Sequence, residues 1–243
     1  MSLPVFLGPV TGVAAGGQVV VEGDEARHAV VVRRTRVGEQ VVLVDGSGTA
    51  ATGTVSATTK TTLAVEVTSV VVAPRPSPRI TVVQAIPKGE RAELAVEVLT
   101  EIGVDRIVPW AAARCVGVWR GERGEKALAK WRSTAREAAK QSRRSWLPEV
   151  TPMATTAAVV ELLGAADVAV VLHEAATSTL AALPVPDAGE VVVVVGPEGG
   201  ISDEELGAFG DAHVVRLGES VLRTSTAGVA AIAALLSRTT RWG

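Results

Sequence analysis

The sequence changes its pattern at one proline-rich segment, and this change constrains the fold more than any other feature. Residues 1–72 contain 19 valines in short runs separated by glycine-containing turns, which is typical of a small β-barrel or sandwich. Residues 73–78 then place three prolines at alternate positions, which favours extended backbone. Beyond them, predicted strands alternate with predicted helices, as in an α/β domain with a largely parallel sheet. We therefore predict two domains, 1–73 and 79–243.

The second part of the chain has the clearer succession of elements. We predict strands at 80–86, 106–110, 168–172, 191–195 and 214–217, and helices at 90–102, 122–144, 155–163 and 224–237. Residues 202–205 fit a capping box, in which a serine and a glutamate satisfy each other's backbone amides, so another helix is expected to begin there. In the first part, residues 24–32 are expected to form a short helix after a strand.

Composition excludes several classes of protein. The single cysteine, Cys115, cannot form an internal disulfide or a cysteine-based zinc site, and the three histidines lie far apart without ligand spacing. The longest mostly apolar stretch, 227–236, is far shorter than the roughly 20 residues of a membrane span, and the first residues lack a basic signal region. We expect a cytoplasmic protein without a metal.

The formal net charge of −2 conceals a strong asymmetry along the chain. Residues 114–144 hold ten basic and three acidic residues, whereas residues 145–219 hold one basic and 12 acidic residues. Such a separation is expected of a protein that presents one face to a polyanion such as a nucleic acid. A solvated helix face would give the same basic run, so the charge pattern alone leaves both interpretations open.

Three predicted strands end in small or polar residues. The valine strand 191–195 runs into the glycine turn 196–200, which lacks the Lys-Ser/Thr pair of a phosphate loop and the spacing of a dinucleotide fingerprint. The turn 217–227 follows a second strand, and His173 and Glu174 follow a third. Because ligands of open α/β sheets bind beyond the carboxyl ends of strands, these ends predict one shared pocket. An ordinary turn, a helix cap and a structural histidine would each explain one of them.

Short motifs spread along nearly the whole chain form a specific combination. They are Arg27-His28 with Val31-Val-Arg33-Arg34, Gly38 and Asp45-Gly46; Gln84-Ala-Ile-Pro-Lys88-Gly89; Glu101-Ile-Gly103-Val104; Arg114; Glu137-Ala-Ala-Lys-Gln141-Ser-Arg-Arg144 with Pro148; Gly196-Pro-Glu-Gly-Gly200; and Leu217-Gly218 with Leu222-Arg223-Thr224 and Thr226-Ala227. In order and spacing, this combination resembles the RsmE family of SPOUT RNA methyltransferases.

The resemblance implies both a fold and an activity. The expected fold is a C-terminal SPOUT α/β trefoil-knot domain with a largely parallel sheet, preceded by a small PUA-like β-barrel domain that binds RNA. The expected activity is the S-adenosyl-L-methionine-dependent methylation of N3 of one uridine in 16S rRNA, in the small ribosomal subunit, by a homodimer. The acid-rich residues 145–219 would then suit a cationic cofactor.

The resemblance also implies which residues act, and basic residues in and near its motifs are our candidates for RNA contact. The implied cofactor-binding residues are Leu172, His173, Glu174, Gly196, Pro197, Glu198, Gly199, Gly200, Leu217, Gly218, Leu222, Arg223, Thr224, Thr226 and Ala227. The implied RNA-binding residues are Arg27, His28, Arg33, Arg34, Lys88, Arg91, Arg136, Gln141 and Arg143. The catalytic candidates are Arg144, Glu137 and Arg114, with the general base open among Glu137, Glu174 and His173.

The chain departs from the family pattern at four positions. Glu219 and Ser220 replace the common Pro-Arg, Ser225 replaces a common Glu, and Arg143 replaces a Gly and adds charge. Two other functions therefore stay open: a ribose 2′-O methyltransferase of the same knotted class, and a non-enzymatic RNA-binding factor for ribosome assembly.

Aromatic residues are scarce in the predicted first domain, where Phe6 stands alone. RNA would have to be held there through phosphates, sugars and shape instead of by base stacking. The tryptophans of the predicted second domain are expected to be core or dimer contacts; they are Trp110, Trp119, Trp131 and Trp146.

Overall fold

The computed structural model describes residues 3–89, 91–117 and 119–242, which form two compact units. The N-terminal unit comprises Met1–Arg75 together with Ala139–Leu147, and the C-terminal unit comprises Pro76–Ala138 with Pro148–Gly243. The predicted domains 1–73 and 79–243 differ from these units chiefly in the segment Ala139–Leu147, and they stay a prediction.

The N-terminal unit is built on one five-stranded sheet. Its strands are β1 (Val5–Leu7), β2 (Gln18–Glu22), β3 (Gln40–Val44), β4 (Thr49–Thr58) and β5 (Thr62–Val72), in the order β1-β3-β4-β5-β2. Side chains alternate between core and solvent along the strands, so that Val19 and Val21 of β2 are buried while Val20 is exposed. Helix α1 (Gly23–Arg27) continues into a π-helical turn, His28–Val32, where the sequence predicts a short helix.

The C-terminal unit is an α/β fold with a six-stranded sheet in which every strand pair is parallel. The strands are β6 (Arg79–Ala85), β7 (Arg106–Trp110), β8 (Glu149–Val150), β9 (Val168–Leu172), β10 (Glu190–Val195) and β11 (His213–Val215), in the order β11-β9-β10-β6-β7-β8. The helices are α2 (Arg91–Ile102), α3 (Gly121–Gln141), α4 (Thr156–Gly164), α5 (Asp203–Ala208) and α6 (Thr224–Leu236). The predicted fold class is confirmed, and Glu90, the predicted first residue of α2, lies outside the described residues.

Strand β10 lies in the middle of this sheet and explains its unbroken valine run. It pairs with β6 on one side and β9 on the other, and its two faces belong to two different apolar clusters. Val191, Val193 and Val195 contribute to one cluster, while Val192 and Val194 contribute to the other. A strand buried on both faces has no need of polar alternation, which is why it reads as a continuous apolar run.

Helix α3 ends at Gln141, three residues before the predicted end. The N–H of Arg143 donates to the carbonyl of Lys140 and the N–H of Arg144 donates to that of Ala139. These two bonds form a Schellman motif, which closes a helix with one residue in the left-handed conformation. That residue is Arg143, with a φ of 58°.

The segment after this helix end packs with the N-terminal strands. The indole N–H of Trp146 donates to the carbonyls of Ala73 and Pro74, both at 3.1 Å. The N–H of Gly48 donates to the carbonyl of Ser145, and that of Leu147 to the carbonyl of Gly46. The prediction placed Trp146 in the second domain, whereas its hydrogen-bond partners lie more than 70 residues away in the N-terminal unit.

The other three tryptophans belong to the C-terminal unit. Trp110 and Trp131 are fully buried in its two apolar clusters, as predicted for core residues. Trp119 packs with its ring edge-on to Trp131, with 5.0 Å between the ring centroids. Among the described residues, no helix has both the length and the apolarity to cross a membrane.

Candidate active site

The carboxyl ends of three neighbouring strands meet at one edge of the parallel sheet. In the register of the sheet, Leu172 at the end of β9 lies opposite both Val195 of β10 and Val215 of β11. The loops that follow these strands consequently start side by side. The register thus brings the three predicted strand ends together at one edge of the sheet.

A cavity of about 350 Å³ opens at this edge. Small-molecule sites typically enclose roughly 300–1,000 Å³. Its lining includes all the predicted cofactor-binding residues except Gly199 and Thr226. The lining residues that sequence reasoning missed are Val195, Ile201, Val215, Arg216, Glu219, Ser220 and Val221. Most of them adjoin a predicted residue, so extending each motif by one or two positions would have found them.

In the glycine turn after β10, the backbone of Gly196 lies close to the side chain of Ile201. A Cβ added at Gly196 would lie 2.8 Å from Cγ1 of Ile201, a distance that real Cβ atoms essentially never show. The N–H of Gly200 donates to the carbonyl of Pro197 and closes the turn. Helix α5 then begins with the predicted capping box, in which Ser202 and Glu205 bond each other's backbone amides. The turn is therefore fixed by its own backbone hydrogen bond and by the capped start of the helix that follows it.

Arg114 lies against this turn. A Cβ added at Gly199 would lie 3.0 Å from Cβ of Arg114, and Nη1 of Arg114 lies 3.4 Å from the carbonyl oxygen of Gly199. The preceding residue, Ala113, is fixed by a hydrogen bond: its N–H donates to Oε1 of Glu205 at 2.7 Å. Of the three catalytic candidates, Arg114 is the one that the structure places beside the cavity.

Formal charges balance in the lining of the cavity. Its acidic side chains are those of Glu174, Glu198 and Glu219, and its basic side chains are those of Arg91, Arg216 and Arg223. Arg91, predicted as an RNA contact, thus lines the cavity. The N–H of Lys88 donates to the carboxylate of Glu198 at 3.2 Å and joins the loop after β6 to the glycine turn.

His173 and Cys115 are two polar residues near the strand ends, and the structure limits what each can do in catalysis. Nδ1 of His173 accepts a hydrogen bond from the N–H of Ala175, which is the structural use that the sequence left open for this histidine. Burial raises the pKa of the Cys115 thiol, and the nearby carboxylates of Glu198 and Glu205 raise it further. Since a thiol with a raised pKa is a poor nucleophile at neutral pH, Cys115 is not a candidate for catalysis.

The remaining predicted residues lie outside the cavity lining. Arg136 and Glu137 are exposed on α3, in the part of that helix that belongs to the C-terminal unit. The residues placed in the N-terminal unit are Arg27, His28, Arg33, Arg34, Gln141, Arg143 and Arg144. None of the three catalytic candidates lines the cavity, and of the three only Arg114 contacts the glycine turn, at Gly199.

A buried ion pair joins the two segments that carry these N-terminal basic residues. Nζ of Lys140 lies 3.1 Å from both carboxylate oxygens of Glu25, and the two side chains are 4% and 20% exposed. The carboxylate also accepts a hydrogen bond from the N–H of Leu7. Glu25 precedes Arg27 by two residues and Lys140 precedes Arg143 by three, so the pair brings both basic segments to one part of the unit.

Comparisons with known proteins cover most of the chain. A family model for an RNA methyltransferase domain matches residues 74–236, and one for an RNA methyltransferase PUA domain matches residues 21–68. The chain is 46% identical, over 93% of its length and 89% of the relative's, to the ribosomal RNA small subunit methyltransferase E of Mycobacterium bovis. It is 27% identical, over 90% of each chain, to the protein of the same name in Bacillus subtilis.

Solved structures show the same similarity. A crystal structure of ribosomal RNA small subunit methyltransferase E from Neisseria gonorrhoeae, bound to S-adenosyl methionine, superposes with a TM-score of 0.86 over 98% of each chain at 29% identity. A structure from Legionella pneumophila with the bound cofactor SAM gives a TM-score of 0.89, also at 29% identity, over 98% of this chain and 99% of that one.

Proposed function

This chain belongs to the ribosomal RNA small subunit methyltransferase E family, and we propose that it transfers a methyl group from S-adenosylmethionine to N3 of one uridine in 16S rRNA. The observation that carries the proposal is the cavity at the ends of β9, β10 and β11. In both related structures named above, the bound molecule is S-adenosylmethionine.

The residues of the cavity fit this cofactor. The ligand carries a sulfonium, an ammonium and a carboxylate group, and the lining offers both acidic and basic side chains for them. The adenine ring needs an apolar surface with backbone hydrogen-bonding groups, which Leu172, Val195 and Leu222 and the loops after them provide. At Gly196 a side chain would collide with Ile201, which also lines the cavity, so this position of the lining requires glycine.

The chemistry required of the protein is modest. When bound, S-adenosylmethionine supplies an electrophilic methyl group, so the protein has to position a uracil and give its N3 proton a route. Arg114 is exposed beside the glycine turn, and we assign it to a uracil oxygen, where a cation stabilises the negative charge that develops as N3 loses its proton.

The proton acceptor is proposed from residue type and position. His173 and Glu174 line the cavity, and Glu137 is exposed on α3 in the same unit. Arg144 belongs to the N-terminal unit, where its N–H makes one of the two bonds of the Schellman motif, and we assign it to the RNA. These roles agree with general acid–base catalysis, in which an acceptor of suitable pKa lies within reach of the proton.

The assembly and the cellular place are part of the same proposal. Helix α6 buries Gly228, Ala231, Ile232, Leu235 and Leu236 among others, and leaves a row of small residues half-exposed, namely Thr226, Ala227, Ala230 and Ala233. A row of small side chains allows close approach of a second helix, so this face supports a homodimer. The proposed substrate, rRNA of the small ribosomal subunit, places the reaction in the cytoplasm.

The decisive experiment is methylation in vitro with assembled small subunits and with naked rRNA, followed by mass spectrometry of the nucleosides. We expect 3-methyluridine at one position. A methyl group on ribose would favour the 2′-O alternative, and RNA binding without any transfer at saturating cofactor would favour a non-enzymatic assembly factor.

A matched pair of glycine variants tests the cavity. Gly196→Ala places a methyl group against Ile201 and is expected to lower cofactor affinity about fivefold or more, since overpacking costs typically about 1–3 kcal/mol. Gly207→Ala, on the exposed side of α5 with no atom within 4 Å of the added Cβ, is expected to bind the cofactor like the wild type. Calorimetry measures both, and equal affinities of the two variants would contradict the assignment of the cavity.

A further inference from the structure

Two residues other than glycine have a positive φ in the described part of the chain, and both are arginines. They are Arg34, with a φ of 59°, and Arg143, with a φ of 58°. The left-handed region is unfavourable for residues with a Cβ, and the exceptions are mostly asparagine, aspartate and histidine. Both arginines lie in the N-terminal unit, where the resemblance predicts RNA contacts.

The position of Arg143 is one that favours glycine for a physical reason. It is the residue of the Schellman motif that must be left-handed, and glycine occupies this place in most helices because it adopts the conformation without strain. Arg34 stands in a comparable place, where the N–H of Thr35 donates to the carbonyl of Ala29 after the π-helical turn. In both places the backbone would be more stable with glycine.

In the described part of the chain, no side-chain contact of either arginine compensates for this strain. Both side chains are exposed, and across residues 3–89, 91–117 and 119–242 neither guanidinium has a hydrogen bond or an ion pair. Strained residues usually persist at sites where they serve a ligand, because selection otherwise removes the strain. A function of the two guanidinium groups would therefore explain why the strained arginines persist.

The surroundings of both arginines are positively charged. Residues 27–36 hold four arginines and no acidic residue, and residues 139–147 hold Lys140, Arg143 and Arg144 and no acidic residue. The buried pair of Lys140 with Glu25 fastens the second segment to the first and neutralises its own charges. What remains exposed on these two segments is cationic.

We propose that Arg34 and Arg143 each bind a phosphate of the RNA backbone, and that this contact maintains them in the left-handed conformation. The inference rests on the proposed function for the identity of the polyanion. Phosphate is favoured over a base as the ligand because the unit offers little for stacking: Phe6 is buried, and the indole N–H of Trp146 is bonded to the backbone. An exposed guanidinium that contacts a phosphate responds to charge and carries no information on base sequence.

The test separates strain from charge at one position. Arg143→Gly removes both, and we expect its melting temperature to rise by about 2–4 °C. Its RNA affinity is expected to fall, and the slope of log affinity against log salt is expected to shrink by about 0.7–0.9, the value of one phosphate contact. Between 50 and 200 mM salt, the advantage of the wild type over the variant should therefore shrink about threefold. Arg34→Gly should repeat both effects.

Two controls accompany this variant. Arg143→Lys keeps the charge and the strained backbone and is expected to retain both the melting temperature and the salt slope. Lys60→Gln removes one exposed charge from the same unit, at the turn between β4 and β5, and is expected to leave the salt slope unchanged. Affinity is measured by fluorescence anisotropy with a labelled fragment of small-subunit rRNA and with a single-stranded oligoribonucleotide, in the absence of cofactor.

Each result has one meaning. A higher melting temperature of Arg143→Gly with an unchanged salt slope would show strain without a function and would overturn the proposal, as would an unchanged melting temperature. Wild-type protein that binds neither RNA would overturn it as well. Because no methyl transfer is measured, a wild type that binds RNA in this way but transfers nothing would refute the proposed function and leave the phosphate contacts standing.

Discussion

Glu205 is the buried side chain whose removal should change the cavity most without touching its lining. Glu205 is only 5% exposed, and its carboxylate accepts three hydrogen bonds. Oε1 accepts from the N–H of Ala113 at 2.7 Å and from the hydroxyl of Thr156 at 3.1 Å, and Oε2 accepts from the N–H of Ser202 at 3.2 Å. One carboxylate thus joins the loop that carries Arg114 to the starts of α4 and α5.

The expected loss of stability follows from these three donors. A buried donor left without its acceptor costs about 1–3 kcal/mol. Water that enters the space of the missing carboxylate will satisfy some of them, so we expect Glu205→Ala to lower the free energy of unfolding by about 3–5 kcal/mol in total. That is a large part of the roughly 5–15 kcal/mol of a folded protein, and it corresponds to a fall in melting temperature of roughly 6–20 °C.

Ser202→Ala is the matched control, because it removes the other half of the capping box and leaves the bond to Ala113 in place. Loss of an N-cap costs typically about 1 kcal/mol. Glu205→Gln should fall between the two variants: its amide oxygen can keep the partners of Oε1, while its amide nitrogen then faces the N–H of Ser202 as a second donor.

Calorimetric unfolding measures the stability of all three variants, and hydrogen exchange at the amide of Ala113 reports the loop directly. We expect faster exchange at this amide in Glu205→Ala and wild-type exchange in Ser202→Ala. A loss of stability in Glu205→Ala no larger than in Ser202→Ala would refute the reasoning, because the carboxylate would then act as a helix cap alone.

Two more predictions concern the N-terminal unit. Lys140→Met leaves the Glu25 carboxylate largely buried without its cation, and urea unfolding should show a loss of about 2–3 kcal/mol, below the 3–5 kcal/mol of a fully buried pair because Glu25 keeps some exposure and one backbone hydrogen bond. For Asp45, burial pushes the pKa upward, but hydrogen bonds from Ser47, Thr49 and Thr11 outweigh it and lower the pKa to about 2. Its ionised form therefore adds stability above pH 4 that is lost as the pH falls toward 2, so the stability of Asp45→Asn should decline less than that of the wild type across this window.

The elements that sequence reasoning predicted well are those whose signals are local. The valine run of β10 requires burial on both faces whatever its neighbours are, and the four residues of the capping box contain both partners of its hydrogen bonds. The meeting of three strand ends was also predictable, since the carboxyl ends of parallel strands share one edge.

The features that escaped prediction depend on contacts between distant parts of the chain. Nothing in the local sequence of Trp146 indicates that its indole bonds to Ala73, and nothing near Lys140 indicates a carboxylate partner 115 residues away. The end of α3 was missed for a different reason: arginine is a good helix former, so Arg143 gives no sign that its backbone is left-handed.

The structure also changes the meaning of the charge asymmetry. The acidic run 145–219 was expected to surround a cationic cofactor, yet the cavity contains Glu174, Glu198 and Glu219 opposite the same number of arginines. Other acids of the run serve the fold: Glu190 pairs with Arg106, and Glu205 caps a helix. A cavity with balanced charges suits a ligand that itself carries both signs, and the binding of such a ligand depends weakly on salt. The basic segments 27–36 and 139–147 of the N-terminal unit contain no acidic residue of their own, and a polyanion bound there releases counterions. Cofactor and RNA affinity should therefore respond to salt very differently in one protein, although its net charge is only −2.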